Sequence, residues 1–451
     1  MKFHLAPRAI CAAAFLALSA STALAAVTPE EAARLKGELT PLGAEKAGNK
    51  DGSIPAWTGG FTQAIAGDKV GGRRGNPFKD EKPLYTVTAQ NMDQHADKLS
   101  DGVKSLLKKY PDSYRLNVYK THRTAVAPQW VYDNTAKNAT RASLDGHALK
   151  GAYGGIPFPI AKNGLEAMWN HKLAWRGTAW EAQLSQYQIT ADGKVVLTTD
   201  GLIRQRMPYY YEEGSPEKFD GYFWEVNLEN AGPPIRAGEM IVGRNHVDAS
   251  KSAAYVYLTG QRRVRKLPNA CCDTPTPASA GLMSFDELSV FSGSTSLFDW
   301  KLLGKKDVLV PYNQNGFLQA KESDIIKGQH LNPEHVRWEL HRVWVVEANL
   351  TAGQRHQAPK SVYYLDEDTW QAVLGDRWDG KGQLWKTLWA FNYVMPDFPG
   401  TVQQTFGYYD LLSGQAYVAN VLNDKSFHHR QSKRWPTDLF TGDGLASQGV
   451  R

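Results

Sequence analysis

Four short groups of residues have the types and spacing that could do chemistry. Gly375-Asp376-Arg377-Trp378-Asp379-Gly380-Lys381-Gly382 approaches a phosphate-binding loop. Gly382 stands where a metal-binding hydroxyl is required, and Asp376, Asp379 and Trp378 would repel or obstruct a phosphate. His330, Glu334, His335 and His341 cluster in sequence, but they read as solvated or interface groups more readily than as a metal site. Asp366 and Asp368 lack the glycine and closing glutamate of a calcium loop. His428 and His429 are adjacent, so a strand would turn them to opposite sides. Neither a Gly-x-Ser-x-Gly elbow nor a His-Glu-x-x-His pair occurs. These patterns lead to the expectation of no enzyme, no cofactor and no metal.

Binding is the better-supported chemistry. Gln261-Arg262-Arg263-Val264-Arg265-Lys266 is the one concentrated basic run, and a strand would put Arg263 and Arg265 on one face. Those two are candidates for an anionic headgroup or membrane surface, against the plainer reading of a charged strand end. Aromatic residues recur at strand positions: Trp224, Tyr255, Tyr257, Trp300, Trp338, Trp344, Tyr363 and Trp389. Most belong in a core. Their excess still favours a ligand cavity, with Trp224, Tyr255, Tyr257, Trp300, Trp344 and Tyr363 as candidate lining.

The elements that must position these residues divide the chain. Lys2 and Arg8 precede a short apolar run that ends in Ala23-Leu24-Ala25, the pattern of a cleaved signal over residues 1–25. The remainder, 26–451, is expected to be exported to the periplasm. Without the signal, the formal charge falls from +6 to +4, since 50 basic residues face 46 acidic ones once Lys2 and Arg8 leave. A balance that mild gives no support to nucleic acid as a partner. Cys271 and Cys272 are then the cysteines that remain, and they read as two small buried side chains, with a vicinal disulfide or redox role as alternatives.

Thr28-Pro29-Glu30-Glu31 predicts a capped helix that Gly37 can end. A Gly/Pro/Asn-rich stretch to about Phe78 predicts an irregular strap. Met92, Ala96, Leu99, Val103, Leu106, Leu107 and Tyr110 predict one amphipathic helix over 89–110, ended by Pro111, that covers an apolar surface. Residues 26–150 thus form a helical and irregular N-terminal part.

From 171 to 425 hairpins dominate. Segments 183–190 and 194–199 flank Asp192-Gly193, 254–259 and 336–349 alternate, 362–365 and 370–374 flank a turn, and 406–411 and 415–421 flank Ser413-Gly414. The predicted class is mainly β with helices: one domain with a large curved antiparallel sheet, or half-open barrel, and a helical lid.

The blocks Leu39-Thr40-Pro41-Leu42-Gly43-Ala44-Glu45, Ile54-Pro55-Ala56-Trp57-Thr58-Gly59-Gly60, Gly154-Gly155-Ile156-Pro157-Phe158-Pro159, Gly260-Gln261-Arg262-Arg263-Val264-Arg265 and residues 333–347 carry a resemblance over nearly the whole chain. It resembles the domain-of-unknown-function family 1329. That resemblance implies a fold like the LolA/LolB carriers, half-closed barrels with helical lids over a cavity for acyl chains. It further implies lipid or lipoprotein acyl chains as partners. An inner-membrane exporter of the resistance-nodulation-division type and an outer-membrane protein would then take part in envelope lipid traffic. Cys271-Cys272 departs from the apolar or aromatic residues expected at that place. The reading is a periplasmic carrier that delivers a lipid or lipoprotein toward the outer membrane. The alternative is a non-transporting stress sensor or exporter accessory.

Overall fold

A computed structural model describes residues 27–268, 270–432 and 434–449, so the expected signal segment lies outside the described residues. The first element forms as its caps dictate. Thr28 Oγ1 accepts the Glu31 N–H at 3.2 Å, and Glu31 Oε2 accepts the Thr28 N–H at 3.0 Å. Helix Pro29–Ala33 and a 3-10 turn Arg34–Lys36 follow, with Gly37 as the stop. The strap after it is irregular and closely docked. Fully buried Arg74 ties it to Asp397 at 2.5 Å and, within the strap, meets Asp68 at 3.2 Å.

One sheet of 16 strands organises the described residues. One arm of it runs in the order Arg337–Leu350, Lys360–Asp366, Ala372–Trp378, Leu384–Met395, Gly400–Asp410, Ala416–Val421. There the chain order breaks, because Ala416–Val421 pairs with Ala179–Ile189. The other arm, the first in chain order, begins with Ala179–Ile189 and continues through Val195–Arg206, Tyr222–Gly232, Met240–His246, Ala253–Leu258 and Arg263–Lys266, so that 337–421 is the second arm. Nearly all pairs are antiparallel, as the hairpin turns predict; Leu116–Val118 joins Arg337–Leu350 in parallel. Phe298–Pro311 lies along the other side of Arg337–Leu350. Gly193 takes φ 82° in the first hairpin turn, a conformation that costs glycine little.

The expected helix over 89–110 forms in two pieces. A 3-10 segment Met92–Lys98 ends at extended Leu99, and helix Asp101–Lys109 restarts after Ser100. The Ser100 hydroxyl accepts the Val103 N–H at 3.2 Å, so a serine that reads as mid-helix instead acts as a cap. None of its residues lines the apolar cavity described below, so this helix is not the expected lid. It buries Val103, Leu106 and Leu107 against the strands Ala372–Trp378 and Leu384–Met395.

Strand alternation decides which face it covers. Asp376 and Thr387, a cross-strand pair, turn toward the helix, whereas the neighbouring pair Arg377 and Lys386 turns the other way. The opposite face is covered by the long connection 267–297. There Arg377 reaches Asp286 at 3.0 Å and Lys386 reaches Glu287 at 2.7 Å. Burial would raise Asp286; the Arg377 charge, with His356, outweighs it and holds that carboxyl far below the usual range.

Candidate functional site

The connection 267–297 roofs both arms. Its carbonyls at Pro277 and Ala278 accept from Arg236 at 2.6 Å and Thr199 at 3.0 Å on one arm, and Leu282 accepts from Tyr408 at 2.9 Å on the other. Between this roof and the first arm the side chains do not fill the space. A cavity open to solvent remains, about 1320 Å³ of atom-free space including its mouth.

Register explains its walls. Trp180 pairs with Gln205, Ile203 with Leu228, Leu228 with Ile241, and Val226 with Gly243, so one face of four strands presents an apolar surface. Phe285, Leu288 and Phe291 from the roof and Phe406 from the other arm complete it. The opposite face of the same strands carries ion pairs: Glu225 with Arg244 at 2.6 Å and with Arg206, and Arg204 with Glu229 at 2.9 Å.

Of the candidate lining residues, Trp224 is in the cavity wall, its indole N–H donated to Gln205 Oε1 at 2.7 Å. Tyr255 and Tyr257 are not. They alternate with Ala254 and Val256, and the pairings Val242–Tyr255 and Met240–Tyr257 put them on the outer face. Helix Gly442–Gly449 packs there, and the Tyr257 hydroxyl donates to the Gly449 carbonyl at 2.7 Å.

Trp300, Trp344 and Tyr363 fill the second arm instead of lining a space. Trp300 donates to the Thr295 carbonyl at 2.8 Å and meets Phe291 edge-on. Tyr363 is fully buried and accepts from Arg377 at 3.3 Å. Trp344 stacks on buried Trp370, with ring centroids 5.9 Å apart. Aromatic area there goes into ring–ring packing. Arg263 and Arg265 lie exposed on the terminal strand of the first arm. Their partners Leu258 and Val256 put them on the side of the roofed face. Cys271 and Cys272, read as separate side chains, are joined as a disulfide at the start of the roof.

Two cavity residues gave no signal in the sequence. Lys172, the last residue of helix Gly164–Lys172, and Arg176, just beyond it, both line the wall. His171 beside them is neutral: burial pulls it down to about 3, while its ring nitrogens meet the Phe291 carbonyl at 2.8 Å and the Ala372 N–H at 2.9 Å.

The expected helical and hairpin motifs elsewhere serve structure. Gly375–Trp378 is strand, not a phosphate loop. His341, Asp366 and Asp368 bring one donor atom each within 4.8 Å of one another. Arg123 already grips both oxygens of Asp368, at 2.9 and 2.7 Å, so a cation is supplied by the protein itself.

Residues 86–446 match the family described as "Protein of unknown function (DUF1329)". The chain belongs to the DUF1329 family. A relative in Pseudomonas aeruginosa, an uncharacterized protein, is 38% identical over 446 residues, 97% of each chain. Solved structures are more distant. A DUF1329 family protein of Desulfovibrio piger has 13% identity and a TM-score of 0.42, over 60% of this chain and 92% of that one. A putative outer membrane lipoprotein-sorting protein domain of Vibrio parahaemolyticus has 15% identity and a TM-score of 0.44, over 63% and 98%. Among the described residues no helix is long and apolar enough to cross a membrane.

Proposed function

We propose that this protein is a periplasmic carrier that binds an acyl chain of a lipid or lipoprotein in the roofed cavity and passes it toward the outer membrane. The observation that carries this is the unfilled apolar space between the first arm and the roof, walled by Trp180, Ile203, Trp224, Val226, Leu228 and Ile241. A hydrocarbon chain gains about 0.8 kcal/mol for each methylene withdrawn from water, so sixteen carbons gain roughly 12 kcal/mol gross. A closed core has no such surface to offer. Release needs no nucleotide if a better acceptor follows, and the resemblance implies an exporter and an outer-membrane protein as partners.

The test uses chain 26–451 freed of lipid and the neutral fluorescent probe N-phenyl-1-naphthylamine. Saturable binding, displaced by a sixteen-carbon amphiphile and weakened at least tenfold by Trp224→Asp but not by Tyr255→Phe, is expected. Absence of any saturable binding would overturn the carrier. A stable complex with an envelope protein that forms equally well with the cavity blocked would favour the accessory reading.

A further inference from the structure

Among the described residues, the buried arginines and lysines are paired as a rule. Arg74, Arg123, Arg206, Arg337, Arg377 and Lys386 each meet a carboxylate. Lys172 and Arg176, half-buried in the cavity wall, do not. Among the described residues neither forms an ion pair, and burial is the leading influence on both, pulling the ammonium to about 7 and the guanidinium to about 10. Lys172 donates to the Gly293 carbonyl at 2.5 Å and sits 5.4 Å from the Trp169 ring centroid, 5.6 Å from Phe223 and 5.8 Å from Phe291. Arg176 reaches the His171 carbonyl at 3.3 Å, and its Nε is buried with no partner. Asp145 and Asp248 line a depression that adjoins Lys172, but Asp145 lies by Lys150 at 3.9 Å and Asp248 accepts from Ser250 at 3.1 Å.

Two cations without counterions in an apolar wall are costly unless an anion arrives. We propose that the cargo is an anionic amphiphile whose carboxylate or phosphate headgroup is held by Lys172 and Arg176 while its chain lies along Trp180, Ile203, Val226 and Ile241. This rests on the carrier reading and names its cargo class. An anion supplies the charge that neither side chain finds in the protein, and it meets the unpartnered Arg176 N–H. The aromatic rings around Lys172 hold the ammonium in place by cation–π attraction while the site is empty. A neutral lipid would bury the same chain and leave both cations uncompensated.

The experiment is displacement of N-phenyl-1-naphthylamine at pH 6.5 by three ligands with one chain length: hexadecanoate, hexadecyl phosphate and hexadecanol. Inorganic phosphate alone serves as a fourth arm. At least tenfold tighter displacement by the two anions than by the alcohol is expected. Their order tells carboxylate from phosphate. Lys172→Met and Arg176→Met should each bring the anions toward the alcohol and leave the alcohol unchanged. Equal affinity of acid, phosphate and alcohol for the wild-type protein overturns the inference and leaves the carrier standing. Displacement by inorganic phosphate alone overturns it in favour of a free-anion site. Failure of the probe to bind removes both. The wild-type comparison decides the matter even if a variant fails to fold.

Discussion

The Asp376 carboxylate accepts the backbone N–H of Gly102 at 3.1 Å, which fastens the first turn of helix Asp101–Lys109 to the sheet. A Cβ on Gly102 would run into Asp376 and Thr387. Gly102→Ala is therefore expected to destabilise the protein by about 1–3 kcal/mol, through displacement of a packed helix. Urea denaturation of the two proteins measures it; an unchanged midpoint would show that the helix docks elsewhere.

The same carboxylate makes stability depend on pH. Burial, its largest influence, raises Asp376 from 3.8 to about 6 despite the donors from Gly102 and Thr387. Between those values the folded protein holds a proton that the unfolded chain has released. The contribution is complete below pH 3.8 and is lost as pH rises through 6. Asp376→Asn should flatten that part of the profile, by on the order of 2–3 kcal/mol at most. Thermal melts from pH 4 to 7 would show parallel curves for the two proteins if the carboxyl were ionised throughout.

Lys172 has the opposite sense. Its folded value of about 7 lies below 10.5, so the unfolded chain binds the extra proton between them, and stability from this group rises with pH across that window. Lys172→Met should remove the rise and stabilise the ligand-free protein most below pH 7. Comparison of melts at pH 6 and 9 checks it, and a wild-type protein more stable than the variant at pH 6 would contradict it.

Asp286 is held by Arg377 and His356, both at 3.0 Å. Arg377→Met leaves that buried carboxylate short of its guanidinium, at a cost of about 3–5 kcal/mol. Hydrogen exchange should show the loss first in the roof, residues 270–297, and only later in the sheet strands. Uniform loss of protection would mean that the roof does not move as a unit.

Outer-face and cavity-face substitutions should separate cleanly. Tyr257→Ala removes a ring packed against Gly449 and the hydrogen bond to its carbonyl, and should cost on the order of 3 kcal/mol of stability with probe affinity unchanged. Trp224→Asp should do the reverse. A shared loss of affinity would place both rings against one ligand.

What was legible in the sequence was local. Asp192-Gly193 and Ser413-Gly414 specify their turns through backbone conformation, and the Thr28 box specifies its helix, so those elements stand where expected. The inward face of a strand is not local information. Ala254-Tyr255-Val256-Tyr257 is apolar on both sides; the residues that cover the tyrosines lie almost two hundred positions later, in Gly442–Gly449. Trp224-x-Val226-x-Leu228, with Glu225, Asn227 and Glu229 between, did announce its cavity side. Lys172 and Arg176 look in sequence like the solvated end of a helix. The roof, one hundred residues away, together with Phe223, half-encloses them.

The two arms meet where Ala416–Val421 pairs with Ala179–Ile189, a contact across more than two hundred residues of chain. Phe406 and Asn420 line the same hollow as Trp180. The container is therefore completed by nearly the last strand to be synthesised, and loop-closure entropy makes that joint late to form. On the carrier reading proposed above, a greasy molecule offered to the growing polypeptide would find only half a vessel, and filling would wait for the finished protein.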